Sequence, residues 1–411
     1  MRRHLPIAGA LALSLIALPA TATAQEPSES GLDEALLEQK LEDFHEATGY
    51  SLIAEVRDGD QSWSDSVGPR NLEWPWFDVD EDDRFRIASI TKPMVATVLF
   101  QLDAEGELDL DGRISDHLPG LLPYEDEPTI RQVLSHTGGL PEYFGYLYPS
   151  LIDNDISDVV DGHREHYSAE ELVEIGTQDP QLFEPGTDWS YSNTGYMALG
   201  LLIEEVTGSK LRHELRERVF WPAGMWDSYL PPGRAWGIWG PNPVPYLTTG
   251  DEDDPLFDTT RLSNSQLWAA GGVISTTEDV NDFWDAYLDG TLLTAEQLDE
   301  ASEFVDTDFG FGYGLGLMEY QICPEGEASI GHNGGGLGHQ TLSFHSPDGD
   351  RDMTFTMNVD DRHGYADPEE FQYAYAGLLL ATMCGLDIDD LEAGQASTLT
   401  DQLPSEEPAL L

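Results

Sequence analysis

Positive charge is the scarcest resource in this chain. Against 78 Asp and Glu stand 19 Lys and Arg, and only three of those are lysines: Lys40, Lys92 and Lys210. The formal net charge of −59 repels phosphate backbones and anionic headgroups, which sets aside nucleic acid and polybasic membrane contact as partners. Cysteine is almost missing, with Cys323 and Cys384 the only two. Long apolar runs are missing too after the first twenty residues, so no later segment is read as spanning a bilayer. Apolar content, at 40%, is ordinary, which argues against wholesale disorder. A length of 411 residues supplies ample material for a packed core and a prior of two to three domains.

What is present begins with an address. Arg2 and Arg3 precede an apolar run over residues 5–20, and Ala22-Thr23-Ala24 offers small residues before Gln25. Residues 1–24 therefore read as a signal peptide, and no cysteine follows the cleavage point to take a lipid anchor. The mature protein is expected to be periplasmic or secreted, with no membrane anchor. That compartment permits a bond between Cys323 and Cys384; two free thiols are the alternative. Acid excess with scarce lysine reads as adaptation to high salt, where counterions screen self-repulsion. A merely acidic secreted protein is the competing reading.

Apolar spacing predicts a helix over residues 32–47, ended by Gly49. Residues 50–56 and 61–67 form a hairpin around Asp58-Gly59. The acidic run 78–83 lacks the glycine and the closing glutamate of a calcium loop and reads as solvated. Helices are expected over residues 89–103, 198–206, 211–219 and 368–383. Residues 329–330, 340–344 and 353–357 look like adjacent strands, the last two joined by Pro347-Asp348-Gly349-Asp350. The layout is thus an α/β fold, an antiparallel sheet flanked by helices (25–100 and 312–385), with a large, mainly helical insertion (101–311) and an acidic, disordered tail (386–411). A cleft between sheet and insertion is the natural place for a site.

Three short patterns carry chemistry. In Ser89-Ile90-Thr91-Lys92 the spacing puts a hydroxyl and an amine on one helix face, near the positive end of the dipole. A serine is a poor nucleophile until a base takes its proton, and a lysine serves where burial disfavours its charge. Ile87, Ile90, Met94 and Val95 give Lys92 that apolar context. In Tyr191-Ser192-Asn193 a phenol can move a proton and an amide can orient the amine. His332-Asn333-Gly334, followed by Gly335, lies on a strand whose glycines allow close approach. An N–H near Gly335 can complete an oxyanion hole with that of Ser89, a donor worth roughly 3–4 kcal/mol to the transition state. The bland alternatives are an exposed lysine, a helix-capping loop tyrosine and a glycine bulge.

In this order the three patterns resemble the serine β-lactamase-like, penicillin-binding hydrolases, and within them the branch of class C β-lactamases, D-Ala-D-Ala carboxypeptidases and esterases. Leu134-Ser135-His136-Thr137-Gly138-Gly139-Leu140, Glu184-Pro185-Gly186-Thr187, Ala270-Gly271-Gly272-Val273 and Tyr313-Gly314-Leu315-Gly316-Leu317 extend the likeness over nearly all of the mature chain. The resemblance implies acylation of Ser89 followed by hydrolysis, with Lys92 and Tyr191 sharing the proton work and Asn193 orienting amine and acyl chain. It implies that His332, in the place of the class C lysine, is positive, favours a Tyr191 phenolate and binds a substrate carboxylate. Ser89 and Gly335 would form the oxyanion hole, with Asn333 and Gly334 beside the substrate. Trp268 and Tyr143, on loops bordering the expected cleft, are the candidate walls. Cys323 would pin its strand to Cys384. The chain departs from the pattern at Asn333, where a hydroxyl is usual, and at Met318, where a cation might have held a terminal carboxylate.

The expected activity is that of a D-alanyl-D-alanine carboxypeptidase-type hydrolase. The alternatives are an esterase or class C-like β-lactamase and, least favoured, a non-catalytic cell-wall-binding relative. The partner is a small peptide, amide or ester, a cell-wall peptide or β-lactam among them. No metal or cofactor is called for: His163-Arg164-Glu165-His166 lacks the zinc pattern His-Glu-x-x-His, and His136 and His339 read as structural.

Overall fold

The computed structural model describes residues 31–391, apart from residues 252 and 325. The leader read at residues 1–24 and the tail beyond residue 391 lie outside the described residues. Eight strands form one sheet: β1 (Leu52–Asp58), β2 (Gln61–Val67), β7 (Val305–Asp306), β8 (Gly312–Tyr313), β9 (Met318–Tyr320), β10 (Ser329–Gly335), β11 (Gln340–His345) and β12 (Arg351–Met357). Their spatial order is β2-β1-β12-β11-β10-β9-β8-β7, antiparallel throughout. Asp58 pairs with Gln61 across the hairpin, and Gly59 takes the positive φ of 56° that the tight turn needs. Two smaller sheets complete the strands. β3 (Phe85–Arg86) pairs with β6 (Ile274–Ser275), and β4 (Tyr246–Thr248) lies between β5 (Leu256–Asp258) and β13 (Val359–Asp360).

Alternation along β1 assigns the two faces. Leu52, Ala54 and Val56 join Met353, Phe355, Met357 and Phe344 in an apolar core behind the sheet. That core is covered by α1 (Glu34–Thr48), through Leu37, Leu41 and Phe44, and by the helix Pro368–Leu379. Asp33 caps α1 by accepting from Leu36 N–H, and Gly49 ends it in the left-handed conformation. A disulfide joins Cys323, between β9 and β10, to Cys384 at the end of the chain's last long helical stretch.

The front face of the same strands is buried but polar. Ser343 pairs with Thr354 and Thr341 with Thr356 through their hydroxyls, at 2.7 and 3.0 Å. The helix Thr277–Leu288 covers them, with Trp284 donating to Ser343 and Thr354 donating to Asn281. Each hydroxyl finds a partner, which is what makes a polar face tolerable in the interior.

A second core lies on the helical side of the sheet. Its centre is α2 (Thr91–Glu105) and α3 (Asn193–Thr207). Every residue of α2 from Thr91 to Phe100 is buried, as expected of a helix that is apolar all round. That burial carries the start of α2, and the serine before it, into the interior.

Candidate active site

Ser89 sits in a tight turn, Ala88–Ile90, that runs directly into α2. The turn is entered through Ala88 at φ 45°, a left-handed conformation that costs an alanine roughly 1–2 kcal/mol. Lys92 follows one turn later, with Pro93 in the first turn where its missing N–H is harmless. Thr91 ties the segment down by accepting from Val273 N–H at 3.1 Å. Ser192 is the N-cap of α3, its hydroxyl accepting from Gly195 N–H. Tyr191 therefore lies just outside the helix and Asn193 begins it, so these two residues are brought to Lys92 by a cap and not by one extended run.

Four of the sequence candidates converge. Lys92 Nζ lies 2.9 Å from Ser89 Oγ, 2.8 Å from Asn193 Oδ1 and 2.8 Å from the carbonyl of Ala270. The Tyr191 hydroxyl donates to Ser89 Oγ at 2.9 Å. Full burial pushes the Lys92 amine well below its usual range, with Glu142 pulling weakly the other way. The rings of Tyr191 and Tyr196, 4.7 and 5.3 Å from Nζ, also favour the charged form, but desolvation outweighs them. A neutral amine has two N–H groups and one lone pair. The carbonyls of Asn193 and Ala270 can only accept, so they take both N–H groups. The lone pair is left for the Ser89 hydroxyl.

Tyr191 corrects one expectation. Burial pushes its phenol well above the ordinary value, so the ring is a neutral donor and not a phenolate. His332 corrects another. It is fully buried, and burial together with the nearby Lys92 holds it down at about 3. Its nitrogens meet the Tyr313 hydroxyl and the Asn333 carbonyl. A neutral ring engaged at both nitrogens supplies no positive charge to Tyr191 or to a substrate carboxylate.

β10 packs against the turn that carries Ser89. Its pairing with β9 runs only from Ser329 to Gly331, so the edge beyond has no strand partner on that side. Gly336 N–H donates to His339 in the turn toward β11, so Gly335 N–H, one residue earlier, faces the unpaired edge. Gly334 shares the face of His332, toward the nucleophile turn. Asn333 projects from the opposite face, where its partner across the ladder is Leu342.

The two proposed walls lie elsewhere. Tyr143 is fully buried, its hydroxyl donating to the Gln266 carbonyl and its N–H to Thr194. A ring without exposure lines no cleft. The ring of Trp268 packs over Gly200 of α3 and borders a groove with His166, Leu201, Lys210 and Arg212. None of Ser89, Lys92 or Tyr191 lines that groove.

Glu142 was not singled out by sequence. Its carboxylate accepts from the N–H groups of Phe144 and Asn193, and burial pushes it up to about 7. The one signal was an acidic residue two positions after the Leu134–Leu140 motif, and a lone glutamate on a loop is usually solvated. His136, read as structural, lies against Tyr191 with ring centroids 4.3 Å apart and the planes tilted by 37°.

Known proteins resemble this chain in sequence and in fold. The family model described as Beta-lactamase matches residues 37–377, and the chain belongs to that family. A penicillin-binding protein of Bacillus subtilis (strain 168) is 28% identical over 300 residues, 68% of this chain and 62% of that protein. Esterase EstB of Burkholderia gladioli is 29% identical over 62% of this chain and 71% of its own length. The chain thus spans between three fifths and three quarters of these two relatives. Among solved structures, a D-stereospecific amidohydrolase from Streptomyces sp. is 29% identical with a TM-score of 0.74, covering 86% of this chain and 99% of that one.

Proposed function

We propose that this chain is a serine hydrolase that forms an acyl-enzyme on Ser89 and releases it to water. The observation that carries the reading is the fully buried Lys92 amine 2.9 Å from Ser89 Oγ, with two carbonyls at its other contacts and its charged form disfavoured by burial. As Oγ attacks the substrate carbonyl, its proton passes to Nζ. The oxyanion is held by the N–H groups of Ser89 and Gly335. On collapse the leaving amine or alcohol takes a proton from the Tyr191 hydroxyl, and the Lys92 ammonium returns one to Tyr191. Water then enters by the same route in reverse, with Lys92 as base, and frees the acid and Ser89.

The preferred substrate class is a small amide or ester. The carboxypeptidase form needs a cation for a free terminal carboxylate. Neither the neutral His332 nor Met318 offers one. The carboxypeptidase reading stays as the second proposal, favoured by the likeness to penicillin-binding proteins. We propose further that the protein works outside the cytoplasm, as the leader at residues 1–24 and the Cys323–Cys384 bond suggest, and in high salt.

The test is incubation with a fluorescent penicillin and, in parallel, with a p-nitrophenyl ester and a D-alanyl-D-alanine peptide, in molar salt. The mass of Ser89 is then measured. Ester turnover through a Ser89 adduct supports the first reading, and release of D-alanine with a lasting penicillin adduct supports the second. Absence of any adduct and of turnover in folded protein would reject both.

A further inference from the structure

Beneath Tyr191, three side chains from distant parts of the sequence join into one hydrogen-bonded line. Ser192 N–H donates to His136 Nδ1 at 3.1 Å. His136 Nε2 lies 3.2 Å from the Tyr313 hydroxyl, and that hydroxyl lies 3.0 Å from His332 Nε2. His332 Nδ1 meets the carbonyl of Asn333. Tyr313 and His332 are fully buried and His136 nearly so.

The two ends of the line fix one hydrogen on each ring. A backbone N–H can only donate, so His136 Nδ1 carries no hydrogen and Nε2 does. A carbonyl can only accept, so His332 Nδ1 carries a hydrogen, and burial, which disfavours a second, leaves Nε2 bare. The Tyr313 oxygen then accepts from His136 and donates to His332. Tyr196 lies close by: its hydroxyl donates to the Leu134 carbonyl at 2.9 Å, and its oxygen is a second acceptor within reach of the Tyr313 hydroxyl. The Tyr313–His332 bond in this sense holds only while both imidazoles are neutral. A second proton on His332 would point two donors at Tyr313 and turn the phenol hydrogen away from Nε2 toward Tyr196.

The line also spans the site. One end is the Ser192 N–H between Tyr191 and Asn193, and the His136 ring packs, tilted, against Tyr191 itself. The other end is β10, one residue before Gly334-Gly335. Tyr313 bridges them from β8, two strands away from β10 in the sheet. We propose that His136, Tyr313 and His332 form a brace that sets the distance between the Tyr191–Asn193 segment and the free edge of β10. In the mechanism above, that is the distance between proton donor and oxyanion hole. None of the three touches the reacting atoms in this scheme; they are positioning residues. Their neutrality is supported first by burial, which lowers both imidazoles; the titratable groups that face them are Lys92 and, for His136, His332, and a proton on either would lower them further.

The brace itself does not depend on the reaction; only its kinetic consequence rests on the proposed function. The first experiment is therefore histidine nitrogen NMR on the full, wild-type chain in molar salt, with signals assigned through His136→Asn and His332→Asn. The expected result is the Nε2–H tautomer for His136 and the Nδ1–H tautomer for His332, unchanged between pH 7 and pH 5. The opposite tautomer at either ring, or titration of either above pH 5, overturns the brace. The second experiment is Tyr313→Phe, which removes only the bridging hydroxyl. Loss of positioning predicts a kcat for p-nitrophenyl ester lower by about tenfold to a hundredfold, with KM unchanged, per folded molecule. An unaltered kcat overturns the positioning role. If Tyr313→Phe fails to fold, the NMR measurement still decides the brace. If the wild type neither turns over ester nor labels Ser89, the proposed function fails while the tautomers remain readable.

Discussion

Gly334 stands so close to Ile87 that a Cβ on it would lie 2.2 Å from the Ile87 carbonyl oxygen. Ile87 is two residues before Ser89, so this contact sets how near the free edge of β10 comes to the nucleophile. The obstacle is backbone, which cannot swing aside as a side chain can. Gly334→Ala must push β10 and the turn apart. The expected cost is about 1–3 kcal/mol of stability in urea unfolding. Acylation should slow by about a hundredfold as the Gly335 donor is displaced. A variant as fast as wild type would mean that the oxyanion is not held on this edge.

Ser89→Ala and Lys92→Met should both remain folded and both lose acylation. The methionine fills the volume of the amine but leaves the buried carbonyls of Asn193 and Ala270 without their donor, a cost of about 1–3 kcal/mol each that the fold is expected to bear. Removal of a general base alone should cost about 10²–10⁴ in rate. Thermal unfolding checks the fold and mass spectrometry checks the adduct. Labelling of Lys92→Met at the wild-type rate would assign the base elsewhere.

Glu142 favours the charged form of Lys92. Glu142→Gln removes the charge, and its one carbonyl oxygen serves only one of the two N–H groups, Phe144 and Asn193, that the two carboxylate oxygens accept from, so thermal unfolding accompanies the kinetics. The lysine then loses its proton more easily, so the neutral base exists at lower pH. The acidic limb of kcat/KM should move to lower pH in this variant, while saturation by substrate changes little. A limb that stays in place, or moves up, would show that Lys92 is not the group titrating there.

Buried histidines give the fold an acid limit. Burial holds His339 at about 3 and His345 at about 4, against about 6.5 in an unfolded chain. Below pH 6.5 the unfolded chain takes up protons that the folded chain refuses. Stability from these groups is therefore complete above pH 6.5 and declines as pH falls toward 4, by on the order of 2 kcal/mol per histidine. His345→Gln should flatten the fall of the urea midpoint between pH 7 and pH 4. An identical slope in variant and wild type would remove His345 from the account.

Charge makes the opposite demand on salt. With a net charge of −59, self-repulsion opposes the compact state in dilute buffer, and at 1 M salt the screening length is about 3 Å. The unfolding temperature should rise by about 10 °C or more from dilute to molar potassium chloride. Equal unfolding temperatures would reject adaptation to high salt.

Much of this molecule is written locally. The Asp58-Gly59 hairpin, the stop of α1 at Gly49 and the turn at residues 347–350 all follow from backbone preferences of single residues. The same holds for the Ser89-x-x-Lys92 pair, since residues three apart near a helix start meet whatever the rest of the chain does. Less legible were the polar front face of β11 and β12, and Glu142, because an isolated hydroxyl or carboxylate does not announce that it will be buried. Tyr143 and Trp268 looked like cleft walls because they flank the right motifs. Nearness in sequence to a motif does not say which way a ring turns, and these two turn into the core and onto α3.

The sequence alone determined which groups could react: an alcohol, an amine, a phenol and an amide, in spacings that suit acyl transfer. Only the tertiary structure decided their protonation. Burial of α2 on every side disfavours the charged form of Lys92, and Tyr191 keeps its proton because burial disfavours the phenolate. His332 is uncharged because packing closes over it and hydrogen bonds occupy both its nitrogens. Covalent order sets the identity of a group, but its charge depends on the dielectric and the partners that folding gathers around it.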